Sequence, residues 1–224
     1  YEPIDGDSLR RVIGRDPQAR WVQTGGGVAG ALVWPVDGAA RLYVPEYAPL
    51  DGELAAAAGL GEPLFRSAGA PSFAVYALPE RPPQSGAALA VPFGRPETAR
   101  LDGFTLLNAA TALDDGQLRL LSSWTALERW PDDVALFVHL LDETGTIVAQ
   151  HDGLDAAATT LRPGDRLRQR HVLPLPALPP GAYRLVIGLY RRGDGSRLAT
   201  PDGTGSAVLG ECRPAGGGLA CDLP

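Results

Sequence analysis

The second half of this chain is a succession of short apolar-alternating segments, each closed by a proline or glycine turn, and it leaves almost no room for helix. Leu118-Arg119-Leu120-Leu121-Ser122-Ser123-Trp124-Thr125 places Leu118, Leu120, Ser122 and Trp124 on one face at a period of two. Val134 to Leu141 is apolar on both faces, as a central strand between layers must be. Asp142-Glu143-Thr144-Gly145 turns it into a hairpin partner, Thr146 to His151. Leu167, Gln169, His171 and Leu173 alternate with Arg166, Arg168 and Arg170, the pattern of a strand with one solvated face. Tyr183 to Arg191 follows the turn Leu178-Pro179-Pro180-Gly181, and Arg192 to Ser196 turns toward Arg197 to Ala199. Regular short strands of this kind predict an antiparallel β-sandwich, immunoglobulin-like in character.

The first half mixes signals. Asp7 to Ile13 begins on N-cap residues and stops at Gly14, and Asp51 to Ala58 is a second capped helix ended by Gly59 and Gly61. Arg20 to Gln23, Val28 to Trp34, Arg41 to Val44, Leu64 to Arg66 and Phe73 to Leu78 predict strands, separated by Gly25-Gly26-Gly27 and Asp37-Gly38. The expectation is a small α/β lobe over residues 1–80, a proline-rich linker over 81–94 beginning near Pro82-Pro83, and the sandwich over 95–224: α+β overall.

Composition sets outer bounds. At 45% apolar and 21% charged, a 224-residue chain is not wholly disordered. No apolar run reaches the roughly 18 residues of a membrane-spanning helix, so direct membrane insertion by this chain is not expected. The formal charge of −6 argues against nonspecific binding to nucleic acid or an anionic membrane. The basic residues are all Arg, with no Lys, which fits a coding bias better than a functional device. A chain that starts at Tyr1 and holds no Met is expected to be an excised or processed piece. Cys212 and Cys221 flank a segment containing Gly216, Gly217 and Gly218, so a disulfide is expected, with free thiols as the alternative. Disulfides favour an oxidising, extracytoplasmic compartment.

Leu118–Trp124 (LRLLSSW), Leu136–Gln150 (LFVHLLDETGTIVAQ) with His151-Asp152-Gly153, and Pro179–Tyr190 (PPGAYRLVIGLY) form a pattern that resembles the C-terminal extracytoplasmic region of bacterial protein-mannosyltransferase-like (family 39) membrane glycosyltransferases. Arg41-Leu42-Tyr43-Val44-Pro45 and Phe73-Ala74-Val75-Tyr76 resemble strands that follow the last membrane helix there. The resemblance implies a membrane-tethered parent that moves a sugar from a polyprenyl-phosphate donor. That family's catalytic acids lie in a loop with no counterpart in this chain, so no catalytic residue is carried over.

Candidate chemistry is sparse. His139, His151 and Asp152 fall on paired strands, where a two-His-plus-carboxylate metal site is conceivable; the alternative is ordinary strand histidines. Asp114-Asp115, Asp132-Asp133 and Asp142-Glu143 sit in predicted turns, which select Asp for backbone hydrogen bonding. Gly25-Gly26-Gly27 and the Gly203–Gly210 stretch lack a phosphate loop's spacing and Lys. Trp130, beside Pro131 in an exposed-looking loop, and Tyr190 are the candidates for stacking on a saccharide, while Trp124, Trp21 and Trp34 are expected in the core. Together these features predict a noncatalytic extracytoplasmic accessory domain, without a cofactor, that docks glycan or acceptor or packs on the membrane part of the same protein. The rival expectations are a metal-dependent or glycoside-cleaving enzyme built on His139, His151 and Asp152, and a purely structural spacer.

Overall fold

A computed structural model describes residues 19–22, 24–25, 27–67, 69, 72–83, 86–108, 116–215 and 218–224. The helix expected over Asp7 to Ile13 and the Asp114-Asp115 pair lie outside the described residues.

The strands are β1 (Thr24–Gly25), β2 (Val28–Ala29), β3 (Ala31–Trp34), β4 (Arg41–Pro45), β5 (Phe65–Arg66), β6 (Phe73–Ala77), β7 (Ala87–Phe93), β8 (Ala99–Leu106), β9 (Gln117–Ala126), β10 (Val134–Leu141), β11 (Ile147–Gly153), β12 (Arg166–Pro174), β13 (Tyr183–Arg191), β14 (Ala207–Ala215) and β15 (Gly218–Asp222). One short helix, α1, spans Gly52–Ala57. Two five-stranded sheets run in the orders β11-β10-β13-β14-β15 and β3-β12-β9-β8-β7; a three-stranded sheet runs β4-β6-β5, and β1 pairs with β2. Every strand pairing within these sheets is antiparallel.

The alternation in the sequence sets which side chains face inward. Leu118, Leu120 and Trp124 of β9, Val134, Leu136, Val138 and Leu140 of β10, and Leu185, Ile187 and Leu189 of β13 enter one continuous core between the two large sheets. Burying this apolar area is the main driving force for the stack.

The far face of the β9 sheet is covered too. Leu32, Trp34 and Leu121 meet Leu54 of α1, Ala58 at its C-cap and Leu78, and Leu42 of β4 packs against them. Asp51 caps α1 by accepting from the Leu54 N–H at 3.0 Å. Arg168 fastens this layer: it donates to the Ala57 carbonyl at 2.8 Å and to the Pro83 carbonyl, and its guanidinium lies over the Trp34 ring. The small β4-β6-β5 sheet and α1 therefore ride on the outer face of a large sheet.

Three expectations change. β3 pairs with β12, Leu167 opposite Val33, and Ala31 and Val33 enter the main core. A strand from the first 80 residues thus completes the second half's sheet, and a separate lobe ending at residue 80 is not what forms. Residues 81–94 are not all linker, because β7 occupies Ala87–Phe93. Arg20 to Gln23, expected as a strand, supplies among its described residues only an isolated bridge from Val22 to Ala156.

Candidate functional site

The histidines come first, because the expected metal set depends on them. In the β10–β11 register His139 stands opposite Gln150, and Val138 opposite His151. Neighbouring positions on a strand point to opposite faces, so His139 and His151 lie on opposite sides of their sheet. His139 Nε2 meets Asp152 Oδ1 at 3.0 Å on the outer face, whereas His151 turns inward and its Nδ1 lies 3.0 Å from His171 Nδ1. The His139–His151–Asp152 site is therefore split by the pleat. Among the described residues no three His, Cys, Asp or Glu side chains are placed to hold a metal ion.

His139 is itself a poor base. Burial lowers its pKa and Arg197 lowers it further, against the raising effect of Asp152. Its Nδ1 is buried without a hydrogen-bond partner among the described residues, so the atom a substrate would need is shut in. The outer face around it is an aromatic strip. Phe137 packs 4.6 Å from the His139 ring and 6.3 Å from the Tyr190 ring, and the Arg197 guanidinium covers Phe137 at 4.6 Å. Tyr190 is thus half-buried beside a ring that is already capped.

The inward histidine joins a buried polar chain between the sheets. Trp124 Nε1 donates to Ser122 Oγ at 2.9 Å, Ser122 Oγ lies 2.8 Å from His171 Nε2, and His171 reaches His151. With both rings neutral, one proton fills each contact. Burial pushes His171 well below the ordinary imidazole value, helped by His151. His151 is lowered by burial and by Arg170, with Asp152 opposing. These groups are spent on one another and on the core.

Trp130 departs from its expected exposure. It is 2% exposed, because the loop between β9 and β10 folds its indole edge-on against Trp124 with ring centroids 6.5 Å apart. A ring sealed in the core cannot stack on a saccharide, so Trp130 is removed as a binding residue. Trp124 and Trp34 are buried as expected, and Trp21 is half-buried. Cys212 and Cys221 form the expected disulfide, across a register pair of β14 and β15.

A different set of rings clusters toward solvent on the small sheet. Tyr43 of β4 and Phe65 of β5 both stand opposite Val75 of β6, and Phe73 lies two residues along the same face of β6. Opposed residues in an antiparallel pair share a face, so the three rings are displayed together, with Leu42's face turned toward α1. The Tyr43–Phe73 and Phe65–Phe73 centroid distances are 6.0 and 5.8 Å. Tyr43 is 65% exposed and Phe65 54%. Polar groups bracket the row. Arg41, exposed, shares the face of Tyr43 at one end, and at the other the Ser72 hydroxyl donates to the Glu46 carboxylate. Sequence reasoning missed this cluster because its rings come from three separate segments; the only advance signal was the alternation of Arg41, Tyr43 and Pro45.

Fold and site together define a class: an antiparallel β-sheet protein of two stacked sheets that displays aromatic side chains on a third. No family model matches the chain, and no curated protein matches it in sequence. Among solved structures it is similar to the C-terminal domain of wzt, at 14% identity over 63% of this chain and 81% of that one, with a TM-score of 0.35. It is also similar to the endonuclease/exonuclease/phosphatase from Beutenbergia cavernae DSM 12333, at 19% identity over 67% of this chain and 34% of that one, with a TM-score of 0.27. Likenesses this distant carry no argument about activity. Among the described residues no helix is long and apolar enough to cross a membrane.

Proposed function

We propose that this chain is a noncatalytic, extracytoplasmic accessory domain that docks a glycan, within a membrane-anchored protein of the mannosyltransferase-like type its sequence resembles. One observation carries the docking: the row of exposed Tyr43, half-buried Phe73 and exposed Phe65 on the β4-β6-β5 sheet. A sugar ring has an apolar face and a hydroxylated edge. Aromatic rings match the face, and the flanking Arg41, Glu46 and Ser72 offer donors and acceptors to the edge. A purely structural spacer has no use for such a row, and the enzyme reading loses its His139–His151 pairing to the pleat.

The disulfide supports the extracytoplasmic placement. In this reading the stacked sheets are an immunoglobulin-like sandwich serving as a rigid platform, tethered to the membrane part through sequence beyond the chain. The test is a glycan array followed by calorimetric titration of the best binder. Saccharide binding that is lost in Tyr43→Ala with Phe65→Ala and kept in Tyr190→Ala is expected. An array silent for every saccharide overturns the proposal, as does binding indifferent to the double substitution. Capture of the membrane part through the same face would replace glycan docking by intramolecular packing.

A further inference from the structure

On the reading that this face docks glycan, we infer that its ligand is an internal stretch of a polysaccharide, with consecutive sugar units on successive rings, and not a single terminal sugar. The inference follows from how the sheet spaces the rings. Tyr43 and Phe65 flank Val75 from the two outer strands of the three-stranded sheet. Two strand steps put β4 and β5 roughly 10 Å apart. Ring-on-ring stacking operates at about 4.5–7 Å between centroids, so one sugar seated over Tyr43 does not also stack on Phe65.

The intervening space offers no slot for a lone sugar. Val75 is 7% exposed, which means the rings already close over the floor between them. Phe73 bridges the gap, 6.0 Å from Tyr43 and 5.8 Å from Phe65, and makes the row continuous. Successive rings are inclined by 36° and 46°, so together they do not make a flat platform. A chain whose units turn relative to one another suits such a surface better than a flat crystalline face does. The groups that could grip a chain end are spread along the row instead of converging at one point: Arg41 at one end, and Glu46, bonded to Ser72, at the other.

The linkage of sites predicts a length dependence. Each added unit that reaches a further ring binds at an effective concentration set by its tether to the first. The experiment titrates the full chain with cello- and manno-oligosaccharides of one to six units. Affinity is expected to rise at least tenfold between one and three units in the series that binds, then to level off. Phe65→Ala and Tyr43→Ala should each flatten the rise, while Tyr43→Phe, which keeps the ring, restores it. Both side chains are solvent-facing, and coincident thermal melts confirm that the variants fold. A monosaccharide binding as tightly as its hexamer overturns the inference while leaving docking intact, and so does a length dependence untouched by the ring substitutions. Absence of binding at every length, together with a silent array, overturns docking itself.

Discussion

His171 lies between the two sheets with no exposure, joined to Ser122 on one side and His151 on the other. An imidazolium there would be a charge in an apolar core. In the unfolded chain both histidines titrate at about 6.5, whereas burial holds them lower when folded. Below about pH 6.5 the unfolded chain therefore binds more protons than the folded one, and stability falls as pH drops toward the folded values. Urea midpoints at pH 7.5, 6.5 and 5.5 should decline in that order, and more shallowly in His171→Asn; equal slopes would remove the histidines as the cause. Asp165 is a second buried determinant. Its carboxylate accepts from Arg20, from the Val36 N–H at 3.0 Å and from the Arg162 N–H at 2.9 Å. Asp165→Ala removes the carboxylate paired with the buried Arg20 guanidinium and the acceptor of two amides, and should cost about 3–5 kcal/mol in chemical denaturation. Gly188 is a third. A Cβ there would lie 2.5 Å from the Phe137 ring and 2.7 Å from the Gly205 carbonyl, so Gly188→Ala should lose about 1–3 kcal/mol by overpacking.

The elements that the apolar pattern describes best are the central pair, β10 and β13, whose register with each other is unbroken. β10 and β13 begin and end where the apolar pattern places them, Val134–Leu141 and Tyr183–Arg191. The strands the pattern does not announce are the irregular ones. β7 carries Pro92 and slips register between Ala88 and Val91; β8 slips between Leu101 and Gly103; β14 pairs with β13 across a shift at Leu185 and Val186. A bulge moves side chains to the other face mid-strand and erases a period-two signal. Trp130 failed for a related reason: a Trp-Pro in a loop looks exposed until the loop is seen crossing the end of the core. The disulfide was legible from spacing alone. It closes a short loop at the sheet edge, and its reduction should lower stability by about 2–3 kcal/mol in the chain-entropy model. Melts with and without a reductant check this, and Cys212→Ala with Cys221→Ala should match the reduced protein.

At the scale of the molecule, the sequence boundary near residue 80 marks a change of texture but not a change of core. β3 lies at the edge of a sheet whose other strands all come from after residue 86, and α1 with Trp34 and Leu78 covers that sheet's outer face. A piece comprising residues 95–224 would lack β3 and β7, and would expose Leu121 and the β12 edge. It should express as an aggregated or poorly dispersed species by NMR, while the intact chain gives a cooperative melt; a well-folded 95–224 fragment would refute the shared core. The aromatic face was invisible for the same long-range reason. Tyr43, Phe65 and Phe73 come together only through the pairing of β4, β6 and β5, a register no local pattern specifies. The most direct measurement is NMR shift mapping on the intact, isotope-labelled chain titrated with an oligosaccharide. Perturbations should concentrate on Tyr43, Phe65, Phe73 and their flanking Arg41 and Glu46. Shifts gathered instead around Tyr190, Asp152 and Arg197 on the opposite side of the stack, or a spectrum that does not move, would contradict the account.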